Sequence, residues 1–172
     1  MAAKQIGPTF GYELMKANLT GLPFTWASDG TFNFSPTMTQ SQINQVMSVY
    51  AAHNPVVSGL LEYSDTVRDK MFKSGIIVSG ILTDVSPDAV SLLHQNVTYA
   101  QAHPAITFNV IAPDYTVANY TSAGISNLYN VVQGYVKSCY DMQATVAAGV
   151  NNGSITTTAQ IDNMYATIPT NY

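Results

Sequence analysis

The stretch Thr121–Val150 reads TSAGISNLYNVVQGYVKSCYDMQATVAAGV, and it restricts the fold more than any other part of the chain. Its apolar positions fall at Ile125, Leu128, Val132, Tyr135, Cys139, Met142 and Val146. That 3-4-3-4-3-4 spacing keeps one face of a helix apolar. Thr121 and Ser122 offer N-cap hydroxyls, and Asn151-Asn152-Gly153 offers a left-handed stop. About 28 helical residues at roughly 1.5 Å each make a rod on the order of 42 Å. A rod of that length crosses the whole width of a small domain, so the other elements are expected to pack along it as along a spine.

The rest of the composition sets the frame for that spine. A chain of 172 residues, 47% of them apolar, suits one compact domain or one domain with a small appendage. Only 9% of residues are charged, against roughly a quarter in an average soluble protein. A surface so poor in charge suits permanent burial against partner subunits; a host with low-charge habits explains it equally well. The net charge is −4 and Arg68 is the single arginine, which leaves little for binding a phosphate backbone. One cysteine, Cys139, excludes an internal disulfide and a cysteine-based zinc site. No apolar run reaches transmembrane length, and Met1–Asn18 lacks the order of a signal peptide, so synthesis inside the cell without membrane insertion is expected.

Taken in order, the chain alternates short helices with hairpins. Residues 9–18 suit a short amphipathic helix with Phe10, Leu14 and Met15 on one side. Gly21–Ser35 reads as a hairpin in which Leu22, Phe24 and Trp26 alternate, Ser28-Asp29-Gly30 turns, and Phe32 and Phe34 alternate on the return. Thr39–His53 follows as a helix with a capping box, Thr39-x-x-Gln42, a stripe of Ile43, Val46, Met47 and Tyr50, and a stop at Asn54-Pro55. Val56–Ser74 is the most charged segment, with signs mixed between Glu62 and Lys73, and reads as an exposed connecting helix.

Gly75 changes the period. Ile76-Ile77-Val78 and Ile81-Leu82-Thr83 flank Ser79-Gly80, a two-residue turn of the primed type. Ser86-Pro87-Asp88 opens a helix lined by Val90, Leu93, Val97 and Ala100 and stopped at His103-Pro104. Ile106–Ile111 alternates as a strand, Ala112-Pro113-Asp114 turns, and Tyr115–Val117 returns. Beyond the spine, Thr157-x-x-Gln160 caps a last helix carrying Ile161, Met164 and Tyr165, which can fold back on the spine's end.

Candidates for chemistry are sparse. His53 and His103 sit at helix C-termini, where the dipole favours a positive partner, and nothing in sequence orients His94. Cys139 lies in the apolar seam and behaves there as a small hydrophobe. Asp84 and Asp88 are close, but Asp88 has a capping role and Asp84 borders a turn. No glycine-rich phosphate loop or nucleophile elbow occurs. The aromatics Phe24, Trp26, Phe32 and Phe34 form a hydrophobic plate, read first as hairpin core and second as a docking or sugar-stacking surface.

The order GIIVSGILTD, a helix ending YAQAHP, then ITFNV, YTV, the long helix with YVKSCYDMQATVAAGV and finally GSITTTAQID resembles a small uncharacterised domain of tailed-bacteriophage tail-fibre and tail-accessory proteins. The likeness spans about Arg68–Ile161; more loosely, GLPF…W…DG with MT and YAAH looks like a segment that precedes this domain in small phage proteins. The resemblance implies no catalytic residues, cofactor or metal. It implies a tail component or its assembly partner.

These readings combine into an α+β fold: a small antiparallel sheet of two hairpins packed with several helices, including one long C-terminal helix and a short one folded back on it. The expected units are residues 1–55 (aromatic hairpin and helix), 56–74 (charged connecting helix) and 75–172 (the tail-type domain). The expected function is a non-enzymatic structural protein of a phage virion, attached to the tail fibre or baseplate and docking through Phe24, Trp26, Phe32 and Phe34. It would lie in the virion tail, passing through the host cytoplasm during assembly, with other tail proteins or a second copy of itself as partners. A tail-fibre assembly chaperone and a receptor- or glycan-binding tip module are the alternatives. Tyr135 and Cys139 suit a self-sufficient coiled coil poorly, so the seam is expected to pack against the chain's own helices.

Overall fold

The spine forms as its spacing dictates. In the computed structural model, which describes residues 4–172, it is a helix of 31 residues, Ser122–Asn152. The Thr121 hydroxyl accepts the Gly124 N–H at 3.1 Å, and Gly153 ends the helix in the left-handed conformation at φ +81°. Ile125, Leu128, Val132, Tyr135, Cys139 and Val146 are buried, while Met142 is only half-buried. Each fully buried side chain of this size is worth about 1.5–3 kcal/mol of transfer free energy, which makes the seam the main source of cohesion.

Among the described residues the order of elements is α1 (Phe10–Lys16), β1 (Phe24–Trp26), β2 (Phe32–Phe34), α2 (Gln40–Ala52), α3 (Pro55–Ser74), β3 (Ile76–Val78), β4 (Ile81–Thr83), α4 (Pro87–Ala102), β5 (Thr107–Ile111), β6 (Val117–Thr121), α5 (the spine) and α6 (Thr158–Tyr165). The class is α+β. The strands do not merge into one sheet; they form three separate antiparallel ribbons, β1-β2, β3-β4 and β5-β6. The unit expected from residue 1 has its first three positions outside the described residues.

Two cores result. The larger gathers the α5 seam with Leu60 and Phe72 of α3, Ile76 and Val78 of β3, Leu93, Val97 and Ala100 of α4, and Ile161 and Tyr165 of α6. The smaller gathers Ile6, Phe10, Leu14, Leu19, Met38 and Val46 under the aromatic hairpin. The seam of the spine is thus covered by helices of the same chain. Both capping boxes are present, Thr39 with Gln42 on α2 and Thr157 with Gln160 on α6.

Three local expectations change, and one pairing is added. The segment 56–74 does join the two cores, but it is not an exposed connector: α3 lies along α5 and α6 with Leu60, Ser64 and Phe72 buried. Its one arginine works in that seam, where Arg68 Nη1 donates to Gln143 Oε1 and the guanidinium lies over the Tyr140 ring at 5.2 Å. The return strand β6 begins at Val117 and runs to Thr121, because Tyr115 sits in the turn at φ +65°. Met15 and Met47 point to solvent rather than inward, and Val49 takes the inner position beside Val46. The C-terminal residues, unassigned from sequence, add to β3: the Ile77 N–H donates to Thr170 O, and the Tyr172 N–H to Ile77 O, both at 2.8 Å, in a parallel bridge.

Candidate functional site

The four aromatics of the hairpin are brought together as expected. β1 and β2 pair with Phe24 opposite Phe34 and Trp26 opposite Phe32. In an antiparallel ribbon, residues two apart and residues directly opposite share a face, so all four rings stand on one side. The rings of Phe32 and Phe34 stack at 5.5 Å, and those of Phe24 and Trp26 lie 5.7 Å apart.

Their burial is unequal. Phe10 projects from α1 into the plate with no exposure and meets Trp26 edge-on at 5.5 Å and Phe32 at 6.0 Å. Tyr50 of α2 closes on Phe32 from its other side at 5.0 Å. Phe24, Phe32 and Phe34 are therefore half-buried core members, while Trp26 keeps 42% of its surface exposed. The helix that supplies Phe10 also carries two exposed large side chains that the sequence did not mark as site residues. Gly11 of α1 lies against the Trp26 ring, and on the same helix Tyr12 and Met15 are 54% and 50% exposed. The signal was available in the spacing, since Met15 stands one turn from Gly11 rather than on the Phe10 side.

A polar clamp holds the plate against the rest of the chain. His53, at the C-cap of α2, is buried. The Gly7 N–H can only donate, and it points at His53 Nε2 from 2.8 Å. Nε2 therefore accepts, and Nδ1 carries the hydrogen that goes to Glu13 Oε2 at 2.9 Å. Lys4 donates through Nζ to the Ala51 and His53 carbonyls, and its main chain exchanges bonds with the Tyr50 hydroxyl. The Thr9 N–H donates to Ser58 Oγ at 2.7 Å and so ties α1 to the start of α3. The imidazole joins two segments 40 residues apart in sequence, which is why nothing near it in sequence revealed its partner.

The remaining titratable candidates lie on or beside α4 and α5. His103 caps α4, with Nδ1 at 3.1 Å from the Tyr99 carbonyl and its ring stacked on Tyr99 at 4.1 Å. His94 lies against Tyr129. Burial pushes the Cys139 thiol up, and burial pushes the Tyr135 hydroxyl up as well. Asp84 accepts the Ser86 N–H at 2.8 Å, and Asp88 stands in the first turn of α4. Among the described residues no group of three or more His, Cys, Asp or Glu side chains is placed to hold a metal ion, and no helix is long and apolar enough to cross a membrane. No protein-family model matches the chain, and neither does any curated protein or solved structure.

Proposed function

We propose that this chain is a non-enzymatic structural protein of a tailed-phage virion, attached to the tail fibre or baseplate and acting through protein–protein contacts. The observation that supports it most is the exposed ring of Trp26, set on a plate whose remaining rings are packed against the core. A tryptophan that is rigidly mounted and half exposed is a usual residue at a contact centre. The likeness of Arg68–Ile161 to tail-fibre and tail-accessory domains supplies the context, and the low charge of the whole chain agrees with a surface covered by neighbours.

The test is quantitative mass spectrometry of purified particles beside the infected-cell lysate. A tail subunit is present in particles at a fixed small copy number, and Trp26→Ala lowers its incorporation while leaving the far-ultraviolet spectrum unchanged. Presence in the lysate with absence from particles overturns the structural reading in favour of an assembly chaperone. Glycan binding lost in the same variant would instead point to a receptor-reading tip.

A further inference from the structure

A second surface lies among the C-terminal elements, and it does not depend on the tail reading. A cleft of about 650 Å³ opens between β4, β5 and α4. Its floor is apolar, with Leu93 and Leu128 buried beneath it, and Leu92 and Ile111 stand at its rim 59% and 67% exposed.

Two strand edges border this cleft without pairing to each other. On β5, the Ala112 N–H bonds to Thr116 O across the hairpin. Hydrogen-bonding residues alternate along an antiparallel pair, so Val110 and Phe108 also bond toward β6, whereas Asn109 and Ile111 turn their N–H and C=O groups away from it. On β4, Leu82 lies opposite Ile77, whose own main-chain groups are taken by Thr170 and Tyr172. Leu82 therefore directs its groups away from β3. The cleft presents main-chain donors and acceptors on a greasy floor, which is the arrangement that captures an extended peptide as an added strand.

The charge of the surroundings selects the occupant. From Ser74 to Val136 the chain has no lysine or arginine, and its charged residues there are Asp84, Asp88 and Asp114. Asp84 and Asp88 both line the cleft, and neither is in any of the ion pairs of the described residues. A second copy docking through this same face would bring the same acidic residues and no cation. We infer that the cleft binds an extended segment of a partner protein in which basic side chains alternate with apolar ones, paired to Asn109 and Ile111 and placing a cation between Asp84 and Asp88.

The probe is a blocked hexapeptide, Val-Lys-Val-Thr-Val-Lys, with its glutamate counterpart as control, titrated into the isotope-labelled full chain and followed by amide shifts and hydrogen exchange. The lysine peptide is expected to shift the Leu82, Asn109 and Ile111 amides and to slow exchange at Asn109 and Ile111. Two weak exposed ion pairs correspond to about a five-fold loss of affinity in the D84N/D88N variant, and high salt should produce a similar loss. Asn109→Pro removes an outward N–H that β6 does not use, and should abolish the exchange protection; if that variant fails to fold, the aspartate variant decides. Silence at the three amides, or equal binding of both peptides, overturns the inference. So does protection of the same amides without peptide in a chain that sediments as a dimer.

Discussion

The two cores reach stability by different routes. The C-terminal one is aliphatic and continuous, strung along the 31 residues of α5 and closed on three sides by α3, α4 and α6. The N-terminal one has six buried apolar residues, a pair of three-residue strands and the helices α1 and α2, and depends on edge-to-face rings and the His53–Glu13 clamp. A short hairpin cannot bury enough apolar area to stand alone. Polar bonds across 40 residues make up the difference, and the same shortage of covering chain leaves Trp26 exposed.

This contrast can be broken by experiment, because the single tryptophan reports only on the N-terminal unit while far-ultraviolet dichroism is dominated by the helices around α5. Tyr135→Ala removes the largest fully buried side chain of the spine and should cost about 3–5 kcal/mol, with the dichroism transition moving to much lower denaturant. His53→Ala leaves the Gly7 N–H without its acceptor and takes from the Glu13 carboxylate the donor it has besides the Thr9 hydroxyl, and should cost about 2–3 kcal/mol. Here the tryptophan transition should separate from the dichroism transition and precede it; coincident transitions would show that the units unfold as one.

Gly30→Ala is a sharper local probe. Gly30 turns the aromatic hairpin at φ +87°, and an added Cβ would meet the Tyr50 hydroxyl and the Lys4 carbonyl oxygen. The loss should be about 1–3 kcal/mol, read in tryptophan fluorescence, with little effect on Cys139. That thiol is buried and its pKa is raised, so an alkylating reagent should label it only when the C-terminal unit opens. Labelling of Cys139 in the His53→Ala variant as fast as in the unfolded chain would erase the distinction between the cores.

The smallest effect concerns acid. Asp29 and Asp114 stand in the two outer hairpin turns, each held below the ordinary aspartate range: Asp29 by the Thr31 hydroxyl and then its N–H, Asp114 by the Thr116 N–H and then its hydroxyl. Their folded pKa lies below the unfolded one, so their contribution is present above the ordinary aspartate range and is lost as pH falls through the folded value. The difference in thermal midpoint between the parent and Asp29→Asn or Asp114→Asn should therefore shrink below about pH 4.

Much of this comparison could be read from the chain before its structure. The seam of α5, both capping boxes, the Ser79-Gly80 turn and the placing of all four hairpin aromatics on one face depend on periodicity and on side chains bonding within a few residues of themselves. Such short-range chemistry leaves a mark in sequence. Less visible was the division of labour inside the plate. Whether Phe32 or Trp26 would be covered depends on where Phe10 and Tyr50 arrive from, and no local pattern encodes that.

What the sequence determined by itself was the length and face of each element, because capping, turn geometry and apolar spacing act over about one turn or one strand pair. The tertiary structure alone decided which charged helix became a wall of the core, which carboxylate His53 found, and which strand edges were left open beside the cleft. The C-terminal Asn171 pairing with Ile77 belongs with these. Each is a contact between residues distant in the chain, fixed only when the packed helices bring them together, and the long spine from Ser122 to Asn152 is the frame that brings them there.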